Sequence, residues 1–194
     1  GNKSYALTAY QRARDGKVDA DIREEAAFKY AKLQYGMGNY DMAIEAIDHY
    51  RTLFPEGERL GQADEILTNA YLHSRNYDAA IAHFESIDRR TPVLEAAYQK
   101  VTFLKGAEMF NAQQFEEAVH FFDLSIEHGV ETDYLVKAWF WKGEAYAIGD
   151  QSERAEACYA AVFRYDSRGR TEEYLRSRYG MGYILFNRQE YADA

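Results

Sequence analysis

Residues 139–159 read WFWKGEAYAIGDQSERAEACY. Two apolar-periodic runs are joined by the breaker Gly149-Asp150-Gln151, and each run carries one small residue, Gly143 in the first and Ala155 in the second. That is the pattern of two helices that cross closely where neither presents a bulky side chain. The frame Trp139, Lys142, Gly143, Tyr146, Ala155, Tyr159 returns along the whole chain. One copy earlier it reads Thr102, Lys105, Gly106, Met109, Phe115, Ala118, Phe122, and before that Asp64, Leu67, Thr68, Tyr71, Tyr77, Ala80, Phe84. The first copy is Ala27, Tyr30, Ala31, Gln34, Tyr40, Ala43, Ile47, and the last is Arg178, Met181, Gly182, Leu185, Tyr191, Ala194. The alanines at 43, 80, 118, 155 and 194 lie 37, 38, 37 and 39 residues apart. A period in this range predicts a solenoid of stacked helix pairs, an architecture that commonly holds other molecules.

The frame resembles the tetratricopeptide repeat, whose signature places Trp-x2-Leu-Gly-x2-Tyr in one helix and Ala-x3-Phe in the next. The resemblance covers nearly the whole chain. It implies an all-α fold, a right-handed superhelical solenoid of antiparallel helix pairs with about ten helices. Tyr40, Tyr77, Phe115 and Tyr191 stand just before the second helix and can cover the turn, and Pro55 and Pro92 are expected to end second helices. Gly106, Gly143 and Gly182 are expected at close helix crossings. Several positions depart from the family pattern. Lys105 and Lys142 replace its leucine, where a cationic stem can cover apolar surface. Tyr50 stands where a small residue is usual, Ser152 where an aromatic is usual, and the period exceeds the family's roughly 34 residues. The surplus falls at Glu56–Arg59, Gly129–Thr132 and Ser167–Arg170. Segments such as YDMAIEAIDHYRTLFPEGERLGQADEILTNAYLHSRNYDAAIAHFESI, residues 40–87, are similar to repeat proteins of bacterial cell envelopes, including the lipoprotein of outer-membrane barrel assembly and the periplasmic partner of the envelope-constriction machinery. The compartment stays open, with that likeness favouring the periplasm or envelope over the cytoplasm.

Period and breakers predict helices over Ser4–Arg14, Ile22–Met37, Tyr40–Leu53, Leu60–Ser74, Tyr77–Asp88, Val93–Asn111, Phe115–Glu127, Asp133–Ile148, Ser152–Tyr165 and Glu172–Asn187, with no strand. The chain then divides into a leading second helix in 1–20, repeats at 22–55, 60–92, 93–130 and 132–168, and an incomplete repeat at 171–194. Both ends read as cut, so the chain is expected to be one array segment of a longer protein. Tyr183, Ile184, Leu185 and Phe186 should then leave apolar surface uncovered and favour self-association through the repeat ends. A hydrophobic share of 47% suffices for a continuous core, and 17 tyrosines with 11 phenylalanines suit a fold that wedges rings between helices. A formal charge of −9 opposes nucleic-acid phosphates and anionic lipid, and no apolar run approaches a membrane span.

Chemistry is sparse by comparison. The five histidines, at 49, 73, 83, 120 and 128, show no metal-ligand spacing, and the lone Cys158 among small residues reads as a packed thiol. Gly36-Met37-Gly38 and Gly180-Met181-Gly182 fall at different places in the frame and continue as no phosphate loop. The expectation is a non-enzyme without cofactor or metal. In the repeat family, residues three before and one after the small residue line the concave face. Three before stand Phe28, Glu65, Phe103, Phe140 and Tyr179; one after stand Lys32, Asn69, Ala107, Glu144 and Tyr183. Six before, Lys100, Lys137 and Arg176 form a cationic row. Phe103 and Phe140 with Lys100 and Lys137 could seat an apolar side chain and a carboxylate of a partner; equally, rings in helical arrays are often core. Asn69 occupies one position of the family's carboxylate clamp without its companion, which disfavours a chaperone tail. Three functions follow: a scaffold that binds a partner peptide or domain on the concave face, a structural or oligomerisation spacer, or a repeat segment attached to an enzyme.

Overall fold

A computed structural model describes residues 2–17 and 19–189. Among them are ten helices and no strand: α1 (Lys3–Asp15), α2 (Ala20–Gly36), α3 (Tyr40–Leu53), α4 (Leu60–Ser74), α5 (Tyr77–Glu85), α6 (Pro92–Asn111), α7 (Phe115–Glu127), α8 (Thr132–Ile148), α9 (Ser152–Tyr165) and α10 (Glu172–Asn187). Five helices, α3, α4, α7, α9 and α10, have the bounds that the sequence predicts. Tyr191 and Ala194 of the fifth copy lie outside the described residues.

One expectation is corrected at the only place where a helix is clearly shorter. The α5 helix stops at Glu85 instead of Asp88, and Pro92 opens α6 rather than ending α5. The Arg90 guanidinium donates to the Phe84 carbonyl at 3.1 Å and so satisfies the end of α5. Proline suits the first turn of a helix, where no N–H is required, and the Thr91 hydroxyl before it accepts from the Leu94 N–H.

The chain forms two compact units, residues 1–94 and 95–194. In the first, α1 packs on α2, α2 on α3, α3 on α4 and α4 on α5, and α2 also meets α4. In the second, α7 packs on α8, α8 on α9 and α9 on α10, and α8 also meets α10. The first helices α2 and α8 thus touch both their own second helix and the next first helix.

The inner turns share one backbone device. Gly38, Arg75, Gln113, Asp150 and Gln189, each five residues before a marker alanine, all have positive φ, from 55° to 80°. At Gly38, Gln113 and Asp150 the next residue's N–H reaches back five positions, Asn39 to Gln34, Gln114 to Met109 and Gln151 to Tyr146. This closure, with a left-handed residue one position earlier, ends a helix and reverses the chain. Only the first of the five turns uses glycine.

Packing at the crossings follows the small residues. Ala31, Ala43, Ala80, Ala118 and Ala155 have no exposed surface. A Cβ on Gly106 would stand 2.7 Å from the Phe122 ring, and one on Gly143 would stand 2.8 Å from the Tyr159 ring. At Gly182 it would meet no described atom within 4 Å, so the close crossing expected there is not seen among the described residues. Tyr50, in place of a small residue, is wholly buried, donates to Glu24 at 2.7 Å and packs on Phe28 and Phe54. Gly57 makes room for it, since a Cβ there would fall 2.6 Å from the Tyr50 hydroxyl.

Buried polar groups tie loops to helices. Asp64, fully buried, pairs with Arg51 and accepts from the Thr91 hydroxyl at 2.7 Å. Gln99 accepts from the Val130 and Glu131 N–H groups and donates to the Glu131 carbonyl, which fastens that loop to α6. All three amide bonds are made inside the protein, so the burial costs little.

Candidate functional site

Within the second unit a cleft of ≈ 460 Å³ opens between α8 and α10. Its floor exists because two glycines face one ring. Tyr159 of α9 lies between Gly143 of α8 and Gly180 of α10, and a Cβ at either glycine would sit 2.8 Å from that ring. The Tyr159 hydroxyl donates to Glu144 Oε1 at 2.5 Å, which turns the carboxylate across the floor. Burial and the neighbouring Glu144 carboxylate both push the Tyr159 hydroxyl well above the ordinary tyrosine range, so it stays a donor. Phe140 and Ile184 complete the apolar base, part of a buried cluster with Val136, Ala155 and Val162.

The walls differ in character. On the α8 side stands Trp141, its ring edge-on to Phe140 at 5.3 Å. On the α10 side stand Leu175, Arg176, Tyr179 and Tyr183. Arg176 is paired with Glu172 one turn earlier at 2.5 Å, both exposed. Leu175, Tyr179 and Tyr183 are 61%, 80% and 61% exposed, which is unusual for apolar residues on one helix face.

Of the residues expected on the concave face, Phe140, Glu144, Arg176, Tyr179 and Tyr183 meet in this cleft. Lys100, Phe103 and Lys137 do not line it. Phe103 is buried against Phe122 and Tyr134, and the Lys137 ammonium lies 5.4 Å from the Tyr134 ring. In the first unit Phe28 and Lys32 line a separate recess of ≈ 680 Å³ with Tyr10, Lys29, Leu33 and Arg59. Glu65 and Asn69 lie outside that recess and are exposed, and the Asn69 amide donates to the Glu65 carbonyl of its own helix at 2.8 Å. The row of rings is therefore corrected in its role. Phe28, Phe103 and Phe140 are core, because the adjoining helices cover them, and only Tyr179 of that row reaches solvent.

Sequence reading missed Leu175, Trp141, Tyr159 and Gly180. Leu175 had a signal, since it stands one helical turn before Tyr179 on the same face. Tyr159 had a fainter one, a ring whose two facing positions on different helices are both glycine.

Among the described residues no three His, Cys, Asp or Glu side chains converge as a metal site. Cys158 is buried and its thiol is pushed up to about 11 by desolvation, opposite to what a nucleophile needs. No described helix is long and apolar enough to cross a membrane.

No family model matches the chain, and no curated protein matches it. A solved structure described as the crystal structure of BtubC (BKLC) from P. vanneervenii is similar at TM-score 0.48 and 13% identity, over 100% of this chain and 87% of that one. Likeness at that level carries no argument about what this chain does.

Proposed function

We propose that this chain is a non-catalytic protein-interaction module, a helical array of tetratricopeptide type that binds a protein or peptide partner at the α8–α10 cleft. One observation carries the reading. The cleft between α8 and α10 combines an apolar base of Phe140 and Ile184, the Glu144 carboxylate held across it by the Tyr159 hydroxyl, and the exposed rings of Tyr179 and Tyr183 on its wall. Exposed aromatics around a concave apolar floor are the usual anchors of protein recognition.

The test is selection of peptides from a random display library on the immobilised chain. Enriched peptides should share apolar or aromatic residues, and the double substitution Tyr179→Ala with Tyr183→Ala should weaken them by about 2 kcal/mol or more, roughly thirtyfold. Selection that yields nothing, or peptides indifferent to both tyrosines, overturns the reading.

A further inference from the structure

The cleft between α8 and α10 sets one carboxylate among rings. Glu144 of α8 lines it together with Phe140, Trp141, Tyr159 and Tyr183. Its Oε1 accepts from the Tyr159 hydroxyl at 2.5 Å, and among the described residues Glu144 makes no ion pair. The cleft's own cation is engaged elsewhere, since Arg176 is paired with Glu172 of the same helix at 2.5 Å. One carboxylate oxygen therefore remains to be matched by whatever enters.

The chemistry of the occupant follows from that oxygen. Tyr159 is wedged between Gly143 and Gly180, so the carboxylate it holds is in position before any ligand arrives, and less ordering is left for binding to supply. A purely apolar segment would cover Glu144 without giving it a partner, and a carboxylate buried unpaired opposes binding. An acidic segment would meet both that carboxylate and the chain's formal charge of −9. A long basic side chain removes both penalties, because its head pairs with the carboxylate while its stem lies against the rings. The protein already makes this arrangement once on α8, where the Lys142 ammonium pairs with Asp123 and lies 5.0 Å from the Trp139 ring.

We infer that the cleft takes a basic side chain, lysine or arginine, of a partner peptide, with the cationic head at Glu144 and the stem against Trp141 and Tyr183. This rests on the protein-interaction reading of the same cleft and names the chemistry of what enters it. The cleft volume of ≈ 460 Å³ leaves room for an apolar residue of the same peptide beside the basic one. Specificity then comes from the carboxylate, and contact area from the rings.

Random display peptides selected on the whole chain should carry lysine or arginine more often than the starting library does. For one such peptide, made synthetically, norleucine in place of the basic residue keeps the stem and removes the charge. That change should weaken binding at least about tenfold in fluorescence anisotropy. Glu144→Gln, which still accepts from Tyr159, should weaken the basic peptide by a similar factor and leave the norleucine peptide within about twofold. Raising salt from about 0.1 to 0.5 M should weaken the wild-type complex with the basic peptide more steeply than the Glu144→Gln complex. Circular dichroism checks that the variant keeps its helices; if it loses them, the norleucine comparison on the native chain decides. Peptides that need Tyr179 and Tyr183 but carry no basic residue, equal binding of the norleucine peptide, or a basic peptide indifferent to Glu144→Gln overturns the inference and leaves the protein-interaction reading standing. A selection with no peptide that needs those tyrosines removes both.

Discussion

At the scale of single residues, burial decides chemistry more than identity does. Cys158 could have been a reactive thiol, yet it packs on the Gly143 crossing with 3% exposure, where the charged form lacks solvation. Its thiol holds its proton up to about 11, against 9.0 in the ordinary case. Between those values the unfolded chain has lost a proton that the folded chain retains. The folded state is thus favoured fully below pH 9, and that contribution declines as pH rises toward 11. Wild-type protein should therefore lose stability more steeply than Cys158→Ala across this window, by up to about 1.4 kcal/mol per pH unit, in urea titrations at each pH. Parallel pH profiles would show that the thiol is more solvated than its surroundings indicate. Tyr159 is the complementary case. Its ring occupies space left by two glycines and its hydroxyl fixes Glu144, so one residue links the packing of α8, α9 and α10 to the cleft.

At the scale of elements, the inner turns of the helix pairs show how a repeat persists while its residues change. Four of the five left-handed positions are not glycine, although each adopts φ between 55° and 65°. An L-residue there crowds its own carbonyl, a strain of about 1 kcal/mol that glycine avoids. Gln113→Gly and Asp150→Gly, both at exposed turns, should each stabilise the fold by a few tenths to about 1 kcal/mol in thermal melts, because relief of strain exceeds the added chain entropy. Gly38→Ala, at φ 80°, should destabilise it. A loss of stability on introducing glycine at both turns would show that their side chains contribute more than the strain costs. The same comparison explains legibility. Helix bounds were readable because each apolar period and breaker is local, and five of the ten agree to the residue. The end of α5 was not readable, because it depends on Arg90 folding back to a carbonyl six residues earlier.

At the scale of the whole molecule, charge and exposed surface set which partners are compatible. With a formal charge of −9 the chain should pass through a DNA or heparin column at about 0.1 M salt without retention, since phosphate binding draws its free energy from cations that neutralise the backbone. Retention that salt abolishes would reveal a local basic surface strong enough to override the total, and the recess lined by Lys29, Lys32 and Arg59 would be the place to mutate. The sequence by itself determined the all-α class, the repeat period and the alanine crossings, because these depend on side-chain size and spacing along one helix. Only the tertiary structure decided which of the equivalent rings face solvent. Phe103, Phe140 and Tyr179 hold the same place in the repeat, and whether that place is core or surface depends on which helix lies over it, a property of neighbours that no single repeat encodes.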